Sequence, residues 1–486
     1  MEVTIEEIHD INNKKNRRLL IFLMFIPCLI ALKGLDNDIW FLLNHGRYVF
    51  ENGIPYIEPF TIHKGLEFVM QQWLSACIFW ITYSNFGAIG LQFLVMLCFG
   101  TSIFFMYKLC LKVSENFFIS YSITIVTSLM VSLFMVTRPE IFSNLIFVLE
   151  LYLMESYILS DNKKYLYFMP VLSILLINLH AAMWPMLFII LIPYILDSLK
   201  VPFAQGFEKK PLLLTTCSML LVGFLNPYGI DAMTYLFRSC GNHEINTMVT
   251  EMRPPFINSV AGALVYCSML IVILFYCFYR RGTTKLRYVL LTLGTAYMTI
   301  SSVRGFLFFL ICGVFPLAYY LKDLRPPVRQ NNSSNKTLLL RKILIGLIVL
   351  SILFLVYQKV IFEIESNKEY KLLNETIQFI LEKEDVKNIK LYTGYNDGGM
   401  TEFYGIPSYI DPRAEVFIKK NNKKSDIMNE YFQMQQGSLY YKDVLKKYQF
   451  TDLLVTKDDI LYTYLKHDRG YKITFSNKKY TLFEKI

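Results

Sequence analysis

The sequence predicts a polytopic α-helical membrane bundle of about eleven spans, followed by a small extracytoplasmic α/β domain. Three observations predict it. The 486-residue chain is 54% hydrophobic and only 18% charged, whereas a soluble domain carries roughly 25% charged residues. Apolar runs of about 18 or more residues, long enough to cross a bilayer, recur through the first two thirds. From residue 358 the pattern changes to Lys-rich faces with short β-type runs set between helical stretches.

Residues 1–18 are polar and end in a basic cluster, which predicts a cytoplasmic segment. The apolar run 19–35 is too long for a signal-peptide core and lacks a small-residue cleavage site, so it reads as the first span. Further spans are expected at 88–108, 117–137, 140–160, 165–180, 182–199, 210–226, 257–279, 285–303, 305–322 and 337–357. Near Arg138, His180 and Arg304 one span runs directly into the next. With the N-terminus inside, Lys108 and Lys112, Lys163 and Lys164, Lys200 with Lys209 and Lys210, Arg280 to Arg287, and Lys322 to Lys342 all fall on one side, as the positive-inside rule requires. An odd number of spans then places residues 358–486 outside, at a plasma membrane. Residues 323–337 read as a polar linker on the inside. The tail shows helical pattern at 370–384, 425–434, 438–448 and 458–466, and β-type runs at 389–393, 407–411, 452–456, 471–475 and 480–484.

The formal net charge of +10 sits in short loops and near the C-terminus. That distribution reads as an orientation signal and attraction to a lipid surface, and it speaks against nucleic-acid binding. Nearly all of the nine cysteines lie in or beside apolar runs, and no pair has metal-ligand spacing. A disulfide framework or a structural zinc site is therefore not expected.

What lands on the outer face carries the chemistry. Asp36, Asp38, Arg138, His180, Asn226, Glu251, Arg253 and Arg304 fall at outer helix ends or in outer loops. Ionisable groups at membrane depth are costly and mark function. The stretch Leu35 to Leu74 is central. Asp36 and Asp38, two residues apart, face one site only if the backbone is extended, because on a helix they diverge by about 200°. The plain alternative for Asp38 is an N-cap on an amphipathic helix running from Ile39 to Phe50. For His180 it is a hydrogen-bonded structural group, and for Glu251 and Arg253 it is pairing with each other. For Asn226-Pro227-Tyr228-Gly229 it is a turn ending a helix, and for Asp411 with Arg413 an ion pair inside the tail.

The order of motifs resembles the GT-C glycosyltransferases. In the aminoarabinose and protein mannosyl transferases of that superfamily, a catalytic Asp follows the first span, then an interfacial helix and a glycine–proline turn. Here these would be Asp38, the helix after it, and Gly53 with Pro55. A closer resemblance is to bacterial polyprenyl-phosphate-sugar mannosyltransferase-like proteins of mostly unassigned substrate. It rests on Asp36-x-Asp38-x-Trp40, Pro59-Phe60-Thr61, Gln72-Trp73-Leu74, Arg138-Pro139, Asn178-Leu179-His180, Asn226-Pro227-Tyr228-Gly229, Glu251 and Arg304. In the tail it continues through Tyr395-Asn396-Asp397-Gly398-Gly399 and Ile410-Asp411-Pro412-Arg413-Ala414. Those proteins usually carry Glu where this chain has Gln72.

The resemblance implies transfer of a sugar from a polyprenyl-phosphate donor to an envelope glycan, lipid or protein, with inversion. It makes Asp38 the general base and Asp36 its partner. Arg304 and Arg138 are expected to hold the donor phosphate through paired donors. His180, Glu251, Arg253 and Gln72 are expected to contact substrate. No cofactor is required; a divalent cation is open, and Gln72 weakens the case for one. Two other classes compete: a flippase or transporter of a lipid-linked saccharide, and a non-catalytic envelope assembly protein. A transporter favours polar groups at mid-membrane, whereas these gather at one face.

Overall fold

The computed structural model describes residues 18, 21–22, 24–199, 202–239, 249–278, 284–322, 368–382 and 388–486. The segment 1–17, the whole linker and the span expected at 337–357 lie outside the described residues, as does the start of the first expected span.

The fold is a helical bundle with an α/β tail domain docked on its first loop. Three helices, Trp73–Ser114, Glu140–Ser160 and Val260–Cys277, are long and apolar enough to cross a membrane. Phe117–Val131, Ala181–Asp197 and Gly305–Tyr320 are apolar but shorter. The expected count of eleven is not confirmed among the described residues. The expected runs at 165–180 and 182–199 become helices Met169–Leu179 and Pro185–Asp197, meeting at His180 in extended backbone (φ −160°). The run at 305–322 is broken by a π-helical stretch, Phe309–Gly313, and by Pro316. Apolar composition shows where a run begins and ends; it does not show prolines and wide turns dividing it.

Trp73–Ser114 is one 42-residue element bent at Gly87, whose φ of 61° only glycine adopts without strain. The bend separates the short helix expected after Gln72 from the expected span at 88–108. Far from the loop, Arg287 is fully buried and binds Glu155 at 2.9 Å and Asp197 at 2.7 Å. It is thus a clamp joining helices Glu140–Ser160, Pro185–Asp197 and Leu286–Ser301, not the exposed orientation charge the sequence suggests.

The loop begins with a helix, Asp38–Asn52, that buries Ile39 to Gly46 against Trp73–Ser114 and a tail helix, Gly398–Phe403. A Cβ on Gly46 would stand 2.2 Å from the Ala76 carbonyl oxygen and 2.6 Å from Trp80 Cβ. Both are fixed, so Gly46→Ala should destabilise the protein by about 1–3 kcal/mol through overpacking. The check is thermal unfolding in detergent; an unchanged midpoint would show that these helices can move apart.

In the tail, β1 (Leu391–Tyr392), β2 (Asp452–Thr456), β3 (Tyr471–Ser476) and β4 (Tyr480–Lys485) form a sheet in the order β1-β2-β4-β3. β1 pairs with β2 in parallel, and the other pairs are antiparallel. The expected run at 407–411 is not a strand of this sheet. It carries one isolated bridge, Ser408 to Thr61, and so stitches the tail to the loop. The buried His63 reinforces this seam, its Nε2 lying 2.8 Å from the Tyr409 carbonyl.

Candidate active site

Asp38 is the first residue of the loop helix, and the N-cap position is Asn37, which makes no side-chain cap bond. The capping role falls instead to Asp36, whose Oδ1 accepts the Asp38 backbone N–H at 3.0 Å. This frees the Asp38 carboxylate to turn toward Arg138. The guanidinium of Arg138 lies 2.9 Å from Asp36, 3.2 Å from Asp38 and 3.5 Å from Glu251. Glu251 in turn binds Arg304 at 2.9 Å. Two carboxylates from the first loop, one from a later loop and two arginines at helix ends thus form one charge chain. Local backbone holds the later part: Arg304 N donates to the Glu251 carbonyl and Val303 N to that of Arg253.

Burial is the largest influence on Asp38 and pushes its pKa up to about 7. The nearby charges of Asp36, Glu140 and Glu251 act the same way, while Arg138 opposes them. A carboxyl in that range is half ionised near neutral pH and suits proton transfer.

Two cavities, of about 360 Å³ and about 600 Å³, meet at this chain. Both are lined by Asp38, Arg138, Met252, Arg304, Pro412 and Glu415. The first runs between methionines and phenylalanines, including Phe68, Met183, Met298 and Phe308, and is also lined by His45, Gln72 and His180. The second lies against the tail and is lined by polar groups such as Asn37, Asn396, Asp397 and Asp459. Asp397 accepts the Tyr480 hydroxyl at 2.9 Å, and burial raises its pKa to about 6.

Most of the residues expected from sequence therefore come together. Arg253 does not: it is exposed, lines neither cavity, and leaves Glu251 to Arg138 and Arg304. His180 is placed by a 2.8 Å contact between its Nδ1 and Ser143 Oγ. The turn at Asn226 is structural, its amide donating to the carbonyls of Gly223 and Gly229. Three wall residues carried no readable signal: Glu140 and Glu415 each follow a motif arginine by two residues, and His45 lies inside the loop helix.

A third cluster fixes the tail. Arg413, 5% exposed, binds Asp411, Glu58 at 3.1 Å, Glu402 at 3.3 Å and His45 Nε2 at 3.1 Å. Asp411 and Arg413 pair as expected, yet the same guanidinium also reaches into the first loop.

Among the described residues no three His, Cys, Asp or Glu side chains are grouped to hold a divalent cation. Arg138 already stands between the carboxylates that a cation would bridge.

No family model and no curated protein matches the chain. Solved structures do. Archaeal oligosaccharyltransferase AglB from Archaeoglobus fulgidus, in complex with an inhibitory peptide and a dolichol-phosphate, aligns with a TM-score of 0.59 at 10% identity, covering 91% of this chain and 70% of that one. The A. fulgidus oligosaccharyltransferase tethered to an acceptor peptide gives 0.55 at 12% identity, covering 90% and 69%. Its apo form gives 0.54 at 11%, again covering 90% and 69%. The likeness does not extend to the bacterial mannosyltransferase-like subdivision. At these identities the likeness shows the fold alone: this chain shares the fold of the A. fulgidus oligosaccharyltransferase.

Proposed function

We propose that the protein is a membrane glycosyltransferase that moves a sugar from a polyprenyl-phosphate donor to an acceptor hydroxyl. One observation carries the reading: a carboxylate and two arginines stand where an apolar-walled cavity meets a polar one. The lipid-linked donor occupies the first cavity and the acceptor the second. The acceptor O–H gives its proton to Asp38, and its oxygen attacks the anomeric carbon. The bond from that carbon to the phosphate oxygen breaks, the electron pair leaves on phosphate, and the centre inverts. Arg304 and Arg138 neutralise the leaving phosphate. Glu251, which bridges both arginines, holds them in place until phosphate competes for them. The neighbour's dolichol-phosphate complex supports a lipid-phosphate ligand in this fold.

The test is binding of undecaprenyl phosphate to the purified protein in nanodiscs. Arg304→Gln removes a charged hydrogen-bonding group, so the dissociation constant should rise about 10- to 100-fold. Equal affinity in variant and parent would remove Arg304 from the phosphate site. Absence of binding by the parent would remove the donor class.

A further inference from the structure

We propose that His45 and Glu140 form a subsite in the first cavity for the sugar of the lipid-linked donor, His45 donating a hydrogen bond to a sugar hydroxyl and Glu140 accepting one. This rests on the transferase reading and deepens it.

His45 is 2% exposed and lines the first cavity. Its Nε2 lies 3.1 Å from Arg413 Nη1. A guanidinium only donates, so Nε2 is the acceptor, and in a neutral ring the hydrogen sits on Nδ1. Burial, with the charge of Arg413 adding to it, holds the His45 pKa well below the ordinary histidine range, so the ring is neutral. Nδ1 is buried and has no partner. The ring is pinned in that pose, stacked on Phe60 at 4.8 Å and edge-on to Phe68 at 5.6 Å. An unmet buried donor costs about 1–3 kcal/mol.

Glu140 opens the helix Glu140–Ser160 and lines the same cavity. Its Oε2 is likewise buried without a partner. Two residues of the cavity wall therefore carry one unmet donor and one unmet acceptor. A phosphate accepts but does not donate, and its charge is repelled by Glu140. An isoprenoid does neither. Hydroxyl groups do both, so the complement of this wall is the polyol part of the donor.

Two amide variants separate the nitrogens. His45→Gln sets its amide near the place of Nε2 and loses the donor at Nδ1, whereas His45→Asn keeps a donor near Nδ1. The measurement is affinity in nanodiscs for undecaprenyl phosphate and for its glucosyl, galactosyl and mannosyl esters. The parent should bind at least one ester about tenfold tighter than the bare lipid. His45→Gln and Glu140→Ala should each lose most of that margin, and His45→Asn should keep it. Affinity for the bare lipid should stay the same in both His45 variants and rise in Glu140→Ala, where the repulsion of the phosphate is gone. The ratio within each variant cancels partial misfolding. An unchanged margin in His45→Gln and Glu140→Ala, or no margin in the parent for any of the three esters, overturns the subsite and leaves the transferase reading standing. Failure of the parent to bind any of the lipids overturns that reading instead.

Discussion

Asp38→Asn should lower glycosyl transfer by about 10²- to 10⁴-fold, the range a positioned base contributes, with insertion and thermal midpoint nearly unchanged. The substitution keeps shape, and Asp36, which caps the helix, remains. The parent's rate should also depend on pH with a defined sign. Asp38 has its pKa raised from 3.8 to about 7. Below that value it is protonated and cannot accept a proton, so the rate rises with pH and levels off above about 7. Stability moves the other way. Between 3.8 and about 7 the folded protein holds a proton that the unfolded chain has released, so this group's contribution falls as pH rises through that window. Radiolabelled sugar transfer across pH values is the check. A rate that is flat from pH 5 to 9, or an active Asn variant, would remove Asp38 from the chemistry.

Arg413→Met should destabilise the protein by about 3–5 kcal/mol, because it strands buried carboxylates without their cation. Glu58, Glu402 and Asp411 all face this one guanidinium. Three carboxylates against one cation leave excess negative charge, which a retained proton reduces. Glu402 keeps it: burial first, and then the charge of Asp411, push its pKa well above the ordinary carboxylate range. Ser408 Oγ donates to the Glu402 carboxyl and, like the charge of Arg413, works the other way without prevailing. A triple variant, Arg413→Met with Glu58→Gln and Asp411→Asn, should recover much of the loss, since it removes the stranded charges. Unfolding in detergent measures both. A parent-like midpoint for Arg413→Met alone would mean that the cluster is hydrated and weak.

The sequence was informative wherever chemistry is local. The β-type runs at 452–456 and 480–484 lie almost as read, because a short apolar run bounded by turns suffices to place a buried strand. The acidic pair stood out because two carboxylates after an apolar run have few structural uses. Convergence was harder to read. Arg138 lies 102 residues from Asp36, and only a consistent membrane topology suggested that they share a face. The same reasoning admitted Arg253, which has the right side but the wrong direction. His45 was missed because a histidine in an apolar helix resembles any core residue; its meaning comes from Arg413, 368 positions away. The lengths of single spans were harder to read for a related reason, since a proline or a π-turn divides an apolar run without changing its composition.

Because the Arg138 and Arg304 guanidiniums stand between the two chambers, ligands bound in both would be thermodynamically linked. Whatever draws Arg138 away from Asp38 on one side alters the basicity met by the molecule on the other. Reciprocity then requires each occupant to change the other's affinity by the same factor. On the proposed assignment of donor and acceptor to the two chambers, an evolutionary change of donor would therefore carry a change in acceptor preference with it.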